Sequence, residues 1–374
     1  MKKLLLGIAA VCLAGFTFAQ DAPLWMRHSV ISPDGTTIAF TYKGDIYTVP
    51  VAGGRAMQIT TNPAYDTAPV WSPDSKRIAF ASDRMGSLDV YIVAKDGGEP
   101  RRLTTHSGSE TPLAFTDAGH VLFSAGIMPS AEAVVFPSNG QFNQVYRVSV
   151  EGGRPTMISS MPMECISINK EGAMLYQDKK GYEDYWRKHH VSPIARDIWM
   201  YTPGKEPQYR QLTTFGGEDR EPVWAPDGKT FYYLSEENGS FNIYRRTPGD
   251  AKAVQLTHYT KNPVRYLSAA TDGRLCYGFD GEIYTLLPGG EAQKVNISIV
   301  SDRNDKDIIR QIKSSGATEM AVSPDGKEVA FVLRGDVYVT SVEYKTTKQI
   351  TNTPCQERTV DFAPDGRTLV YASE

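Results

Sequence analysis

Short runs of apolar and aromatic residues recur along the chain, and Gly, Pro, Asp or Asn interrupts each of them after a few positions. In a run such as Ile78-Ala79-Phe80, the large side chains lie on one face of a strand and the small one on the other. Both faces are therefore apolar, which is typical of sheets that pack between neighbouring sheets. After residue 19, no run keeps the 3.6-residue period of an amphipathic helix. The pattern predicts an all-β protein built from many short strands.

Three motifs recur in a fixed order within this pattern. The first is a turn of the Ser-Pro-Asp-Gly type, which starts at Ser32, Ser72, Ala225, Ser323 and Ala363. The second is a triplet of the Asp-Ile-Tyr type, and its aromatic residue recurs at steps of 40 to 55 residues at Tyr47, Tyr91, Tyr146, Trp199, Tyr244, Tyr284 and Tyr338. The third is a triplet of the Gln-Leu-Thr type, which ends at Thr60, Thr104, Thr213, Thr257 and Thr351. Seven units of this order, most of them with all three motifs, follow one another.

The order of the motifs predicts the structure of each unit. Proline presets φ in the turn, the aspartate side chain bonds nearby backbone groups, and glycine accepts a left-handed backbone, so the turn joins two antiparallel strands. The two triplets then supply a third strand and a short fourth strand. Four antiparallel strands in a repeat of roughly 40 to 50 residues are the signature of a β-propeller blade. A β-sandwich is the alternative, but it gives no reason for three motifs to recur in one order.

The number of units predicts the domain boundaries. Six complete units occupy residues 20–300 and are expected to form a six-bladed propeller, and residues 301–315 form a charged linker without a turn motif. Residues 316–374 hold a seventh unit and the first hairpin of an eighth, which predicts the truncated start of a second propeller. The alternative closes seven units into one ring. It leaves the last hairpin with no blade to complete, because the first unit already contains four strands.

The first 19 residues have the pattern of a signal peptide. Lys2 and Lys3 precede an apolar run from Leu4 to Phe18, and small residues precede Gln20 at the expected cleavage positions. The run is shorter than the roughly 20 apolar residues of a membrane span. We therefore expect an exported protein, periplasmic or secreted, without a membrane span.

Composition narrows the range of partners and cofactors. Lys and Arg number 40 and Asp and Glu 43, so the net charge of −3 gives no reason to expect nucleic acid or anionic lipid as a partner. Outside the signal peptide the cysteines are Cys165, Cys276 and Cys355, whose spacing supports neither a disulfide framework nor a zinc motif. We expect them to be small buried residues in strands. The chain has no dinucleotide fingerprint, no phosphate-cradling glycine loop and no nucleophile elbow, so neither a cofactor nor a metal nor a catalytic residue is predicted.

Two insertions interrupt the regular period, at residues 126–142 and 181–196, and propellers usually carry their functional residues in such loops. The second insertion concentrates aromatic and basic side chains, and its candidate contacts for a peptide carboxylate or an unfolded segment are Trp186, Arg187, Lys188, His189 and His190. The alternative is a structural plug whose aromatic residues pack on the ring. A metal site at the two histidines is disfavoured, because consecutive residues of a strand point to opposite faces.

The motifs together resemble a known family. The Trp71-Ser72-Pro73-Asp74 turn, the Asp-Ile-Tyr strands and the insertion that leads into Arg196-Asp197-Ile198-Trp199 resemble the N-terminal propeller region of tricorn-type serine peptidases. The blade repeat alone is also similar to that of TolB-type and other WD-like propellers. In the tricorn-type peptidases a six-bladed propeller is followed by a seven-bladed one, a PDZ module and a catalytic core.

The resemblance implies a non-catalytic propeller that gates or guides peptides toward a serine peptidase core lying beyond this chain. Peptides or unfolded polypeptide segments are the implied partners, and the propeller faces are candidate surfaces for self-association. One alternative is a TolB-like periplasmic module that binds a partner protein, although the TolB pattern has a separate domain before its blades. Another is a propeller enzyme with its chemistry in the central channel, which needs a convergent set of acids or histidines that the sequence does not reveal.

Overall fold

The computed structural model describes residues 23–126, 142–182, 191–300 and 313–374, and all of its regular elements in these ranges are β-strands. The chain divides into two compact units, Met1–Val300 and Ser301–Glu374. Within the described ranges, no helix is long and apolar enough to cross a membrane.

The first unit contains six four-stranded antiparallel sheets in chain order. The first sheet consists of β1 (Arg27–Ile31), β2 (Thr37–Tyr42), β3 (Asp45–Pro50) and β5 (Met57–Gln58), with β4 (Gly54–Arg55) between the last two. The second consists of β6 (Asp66–Trp71), β7 (Arg77–Ser82), β8 (Asp89–Ala94) and β9 (Arg101–Arg102). The third consists of β10 (Glu110–Asp117), β11 (His120–Ala125), β12 (Gln144–Ser149) and β13 (Thr156–Ser159).

The other three sheets repeat this connectivity. The fourth consists of β14 (Met163–Ile168), β15 (Met174–Asp178), β16 (Ile198–Thr202) and β17 (Gln208–Gln211). The fifth consists of β18 (Asp219–Trp224), β19 (Phe231–Ser235), β20 (Asn242–Arg246) and β21 (Val254–Gln255). The sixth consists of β22 (Arg265–Ala269), β23 (Leu275–Phe279), β24 (Glu282–Leu286) and β25 (Gln293–Lys294), and it is followed by β26 (Ile297–Ser298).

The second unit has the same local architecture. One four-stranded sheet consists of β27 (Ala317–Val322), β28 (Glu328–Leu333), β29 (Asp336–Ser341) and β30 (Thr347–Gln349). A two-stranded sheet follows, with β31 (Glu357–Phe362) and β32 (Leu369–Ser373). Its assignment as the start of a second propeller stays a prediction.

A turn of the Ser-Pro-Asp-Gly type closes the first hairpin in the first, second and fifth sheets and in both sheets of the second unit. In the first sheet the Ser32 amide bonds the Thr37 carbonyl at 2.7 Å, and the Asp34 carboxylate accepts hydrogen bonds from the Thr36 amide at 3.0 Å and the Ser32 hydroxyl at 2.5 Å. Gly35 has a φ of 72°, the left-handed conformation that glycine adopts without steric cost. The turn therefore folds as its sequence predicts.

The Asp-Ile-Tyr and Gln-Leu-Thr motifs are partners in space. In the first sheet the Thr60 hydroxyl accepts a hydrogen bond from the Ile46 amide at 2.9 Å and lies 3.5 Å from the carboxylate of Asp45. The Gln58 side chain donates to the other oxygen of that carboxylate at 3.0 Å. The same threonine-to-amide bond recurs at Thr104, Thr213, Thr257 and Thr351. The two motifs thus join the outermost strand to the third strand.

The six sheets of the first unit pack side by side in a circle. The innermost strand of each sheet contacts the innermost strand of the next, and β22 of the sixth sheet contacts β1 of the first. A cluster of buried apolar residues fills each interface, and the cluster between the sixth and first sheets joins Ile31 and Phe40 to Cys276 and Ile283. The prediction of an all-β propeller with four-stranded antiparallel blades is confirmed.

The seam between the first and sixth sheets has its own backbone bonds. The Ile31 amide donates to the Ser268 hydroxyl at 3.1 Å, and the Thr271 amide donates to the Pro33 carbonyl at 2.9 Å. Beyond them, β26 pairs in parallel with β4. All four strands of the first sheet come from one continuous stretch of chain, so these contacts hold the ring together where the chain leaves it.

The structure corrects one expectation about the cysteines. Cys276 is buried in β23, as predicted. Cys165 and Cys355 are exposed, so their prediction as buried residues was wrong. Cys165 lies on the innermost strand β14, where a local irregularity in the backbone turns its side chain out of the sheet.

Candidate functional site

The innermost strand of every sheet in the first unit carries a β-bulge near its start. The register with the second strand shifts between Arg27 and Val30 in the first sheet and at the corresponding positions of the other five. At five of these bulges a residue other than glycine has a left-handed backbone, namely His28, Ala68, Cys165, Glu221 and Tyr266, with φ between 50° and 59°. Such a conformation is costly for these residue types, and a bulge changes the direction of a side chain. We treat the bulges as the framework of a candidate site.

All six bulges lie toward one face of the ring, which we call the bulge face. It is the face at which the innermost strands begin, and it also carries the turns between second and third strands. The Asp66 amide bonds the Gly44 carbonyl at 2.8 Å, and the Met26 amide bonds the Gly281 carbonyl at 3.1 Å. Both insertions connect second strands to third strands, β11 to β12 and β15 to β16. Their described ends therefore lie at the bulge face.

Several bulge residues connect neighbouring sheets. The Gln177 side-chain oxygen accepts a hydrogen bond from the Glu221 amide at 3.0 Å, and the Glu221 carboxylate accepts one from the Leu267 amide at 2.7 Å. The rings of His28 and Tyr266 lie 4.9 Å apart. The fourth, fifth, sixth and first sheets are thereby linked in sequence around the axis of the ring.

Two of the titratable bulge residues, His28 and Cys165, are in their neutral forms at neutral pH. Burial and the positive charge of Arg27 lower the pKa of His28 to about 4. The side chain of Cys165 is exposed. The protein atoms crowded around its thiol nevertheless desolvate it, and together with the charges of Glu221 and Glu164 they raise its pKa well above the usual value. A protonated thiol is a poor nucleophile. This arrangement suits contact with a passing ligand better than covalent chemistry.

A chain of alternating charges lies beside the bulges of the fourth and fifth sheets. Arg196 is buried, and its guanidinium lies 3.2 Å from the carboxylate of Glu164 and 3.5 Å from that of Glu218. Glu218 in turn lies 2.8 Å from Arg220, and Lys179 lies 3.2 Å from Glu164. Buried charges persist when each has partners of opposite sign. We call these five residues the charged network.

The charged network holds both stems of the second insertion. Lys179 precedes the insertion and Arg196 is its last residue, and Glu164 contacts both. Next to the network, the Lys180 ammonium donates to the Ala195 carbonyl at 2.7 Å. The insertion is therefore fastened to the innermost strand β14 beside Cys165.

The predicted contact residues of this insertion, Trp186, Arg187, Lys188, His189 and His190, lie outside the described residues. Their described neighbours Tyr182 and Val191 are 75% and 79% exposed. The assignment of these five residues as peptide contacts stays a prediction.

Sequence reasoning missed the charged network. A signal was present, because the fifth innermost strand has charged Arg220-Glu221 before its Pro-Val-Trp, where the second has Thr67-Ala68. Charges in place of small residues on a buried strand indicate ion partners. Among the residues that the structure describes, no group of three or more His, Cys, Asp or Glu side chains is arranged to hold a metal ion.

Comparison with known proteins gives a consistent family. The family model described as "Tricorn protease N-terminal beta propeller domain" matches residues 23–292. The chain is 26% identical to Tricorn protease homolog 1 of Streptomyces coelicolor over 289 residues, which cover 76% of this chain and 26% of that protein. It is 25% identical to the tricorn protease of Thermoplasma acidophilum over 333 residues, covering 85% of this chain and 29% of that protein.

A solved structure shows the same fold. The crystal structure of the tricorn protease aligns with 90% of this chain at a TM-score of 0.67 and 19% identity, and the aligned part is 32% of that chain. This chain therefore spans between a quarter and a third of the length of the relatives it matches.

Proposed function

Because the chain belongs to the family of tricorn protease N-terminal β-propeller domains, we propose that it guides peptides toward the catalytic core of a tricorn-like serine peptidase. In this proposal the propeller binds and orients polypeptide segments, and the hydrolytic residues belong to a part of the protein beyond this chain. The bulge face is the surface at which peptides are bound.

The position of the bulges is the observation that carries the proposal. Five of the six innermost strands turn a side chain out of the sheet at the same face, and the stems of both insertions meet that face. Exposed Arg27 and Cys165 and the half-exposed aromatic residues His28 and Tyr266 offer a peptide both polar and stacking contacts. A ring of such side chains around an axis suits an extended chain, which has no fixed shape of its own.

The second insertion supplies the specific contacts in this proposal. Trp186, Arg187 and Lys188 would bind a peptide carboxylate or stack on its side chains, and His189 and His190 would add hydrogen bonds. The charged network supports this role, because it fastens the insertion beside the bulge of the fourth sheet. A structural plug would need no such attachment to the innermost strand.

The proposal includes export by residues 1–19. N-terminal sequencing of the protein from the periplasmic fraction of an expressing bacterium is expected to begin at Gln20. An uncleaved N-terminus in the cytoplasmic fraction would contradict export and would leave the peptide-guiding role unaffected.

Protection of Cys165 from alkylation tests the peptide-guiding role. The full chain is treated with iodoacetamide, at an alkaline pH at which Cys165 reacts in the absence of peptides, with and without a tryptic digest of casein, and mass spectrometry of the fragments resolves each cysteine. A peptide at the bulge face would cover Cys165 and slow its alkylation severalfold. Cys355, which is exposed in the second unit, is the internal control. Equal alkylation of Cys165 with and without peptides would overturn the proposal.

A further inference from the structure

A joint of the same kind recurs between successive sheets of the first unit. A residue at or just before the start of an innermost strand donates its amide to a carbonyl that lies one or two residues before the third strand of the preceding sheet. The bonds run from Asp66 to Gly44, from Glu110 to Leu88, from Asp219 to Arg196 and from Val264 to Phe241, at 2.7 to 3.0 Å. Each bond brings the side chain that opens an innermost strand beside the side chain that opens the preceding third strand.

Two of these joints place buried acids side by side. Between the second and third sheets, Asp89 and Glu110 are both completely buried. Arg102 lies 2.9 Å from Asp89, but neither carboxylate oxygen of Glu110 has a well-aligned hydrogen-bond partner. Two carboxyl groups thus share one cation.

The joint between the fourth and fifth sheets repeats this arrangement. Asp197 and Asp219 are both buried, and Lys180 is the cation that pairs with Asp197. One carboxylate oxygen of Asp219 has no hydrogen-bond partner. As at the other joint, the acid of the innermost strand lacks a cation of its own among the described ion pairs.

A third joint pairs the acid of its innermost strand with an arginine. Between the first and second sheets, Asp66 stands beside Asp45, but the Arg84 guanidinium lies 2.9 and 3.1 Å from the two oxygens of Asp66. The joints between the third and fourth sheets and between the fifth and sixth sheets contain no pair of acids, because Gln144 and Asn242 open their third strands. The joint between the first and second sheets, where Arg84 pairs with Asp66, is therefore a matched reference for the two joints with buried pairs of acids.

Two adjacent carboxyl groups in a dry site cannot both ionise at low cost, so one of them retains a proton. Burial, supplemented by the charge of Asp89, raises the pKa of Glu110 to about 7, against an opposing hydrogen bond from Thr104. Burial, supplemented by the charge of Asp197, also raises the pKa of Asp219 to about 7. The other titratable groups that face these acids include Arg102 and Tyr91 at the Asp89–Glu110 pair, and Lys180, Asp178, Glu218, Glu237, Tyr233 and Tyr244 at the Asp197–Asp219 pair.

We propose that the Asp89–Glu110 and Asp197–Asp219 pairs are proton-dependent joints, in which a proton held by one acid of each pair keeps the adjacent sheets together and its loss loosens the ring at these two places. The proton comes from solvent and returns to it, and no other group changes its protonation state in this step. Loss of the proton leaves two buried negative charges with one cation. Their repulsion acts directly across the interface of neighbouring sheets.

The direction of the pH dependence follows from linkage. The folded pKa of each acid lies above its value in the unfolded chain, so the stabilisation is complete below the unfolded pKa and is lost as the pH rises through the folded pKa. The window extends from about 4.5 to about 7 for Glu110. Within it, each pair raises the unfolding equilibrium constant by up to about tenfold per pH unit.

Urea unfolding of the full chain between pH 5 and pH 8 tests the proposal. Glu110→Gln and Asp219→Asn each remove a titrating carboxyl group. Each is expected to reduce the rise of the unfolding equilibrium constant with pH by up to about tenfold per pH unit. Asp66→Asn, which removes the acid that pairs with Arg84, is the control and is expected to lower stability without changing this slope. Profiles of Glu110→Gln and Asp219→Asn that run parallel to that of the wild type would overturn the proposal.

A second measurement needs no variant. Infrared spectra of the wild-type chain at pH 6 are expected to show the carbonyl band of protonated carboxyl groups, which exposed acids have lost by then. The band should disappear as the pH rises to 8. Absence of the band at pH 6 would overturn the proposal even if the variants fail to fold.

Discussion

The carboxylate of Glu221 accepts a hydrogen bond from the backbone amide of Leu267 at 2.7 Å, and this bond joins the innermost strands of the fifth and sixth sheets. Both residues are buried, so water cannot replace the bond. The left-handed backbone at Glu221, with φ of 50°, directs the side chain toward the neighbouring sheet. A strained backbone position thus connects two blades.

Removal of this carboxylate is expected to destabilise the first unit. Glu221→Ala leaves the Leu267 amide buried without an acceptor, which costs about 2 kcal/mol in the free energy of unfolding. Glu221→Gln keeps a side-chain oxygen and should cost less. Urea denaturation followed by tryptophan fluorescence measures both. Equal losses in the two variants would show that the bond to Leu267 is not the cause.

The threonine that closes each blade is expected to stabilise it through its hydroxyl. Thr60→Val preserves the shape of the side chain but leaves the Ile46 amide without its acceptor, and we expect a loss of about 1–3 kcal/mol. Thr60→Ser retains the hydroxyl and serves as the control. The unfolding temperature of the serine variant should be higher than that of the valine variant. The reverse order would contradict the role of the hydroxyl.

The seam of the ring is expected to be sensitive to a single methyl group at Gly53. A Cβ added there would lie 2.5 Å from the Asn296 carbonyl oxygen, next to the pairing of β4 with β26. At Gly97, which has a similar φ in the second sheet, the nearest atom would be 3.9 Å away. Both alanine substitutions incur about 1 kcal/mol for the left-handed backbone. Only Gly53→Ala adds the clash, which costs roughly 1–3 kcal/mol more.

Comparing the two glycine variants separates the effect of the clash at the seam from the effect of the backbone conformation. Hydrogen exchange is expected to accelerate at the amides of Gly54 and Ala56, which bond β26 and its neighbour, in Gly53→Ala alone. If Gly97→Ala is equally destabilising, the backbone conformation and not the seam accounts for the loss.

The charged network is expected to lose stability when its central cation is removed. Arg196→Met leaves Glu164 and Glu218 without the guanidinium between them, and breaking a buried pair in this way costs about 3–5 kcal/mol. Arg196→Lys keeps the charge and should lose less. Urea denaturation at pH 7 measures the difference, and a neutral outcome for Arg196→Met would show that the network contributes no net stability.

Acidification gives an independent check on the network. Burial opposes the ionisation of Glu164, but the charges of Arg196 and Lys179 outweigh it and hold the pKa of this carboxyl below its usual value. The stabilisation is therefore present above the unfolded pKa and is lost as the pH falls through the folded pKa. The wild type is expected to lose stability more steeply than Arg196→Met in this acidic range. Parallel acid profiles would contradict the contribution of Glu164.

The blades were predictable because their signals are local. The turn at Ser32-Pro33-Asp34-Gly35 closes over four residues, and Thr60 bonds Ile46 only 14 positions away. The bulges were not predictable, because the residues that adopt a left-handed backbone there, such as His28, Cys165 and Tyr266, share no residue type. Their conformation is imposed by the packing of one innermost strand against the next.

The amino-acid sequence by itself determined the strands, their turns and the repeat of antiparallel blades, since each of these depends on residues close together in the chain. Only the tertiary structure decided which side chains meet around the axis. Glu164 lies in β14, whereas Arg196 precedes β16 and Glu218 precedes β18, and the acids of the proton-dependent joints come from successive units of the repeat. Closing the sheets into a ring brings these groups together, and their charges and burial, which depend on that closure, set their chemistry.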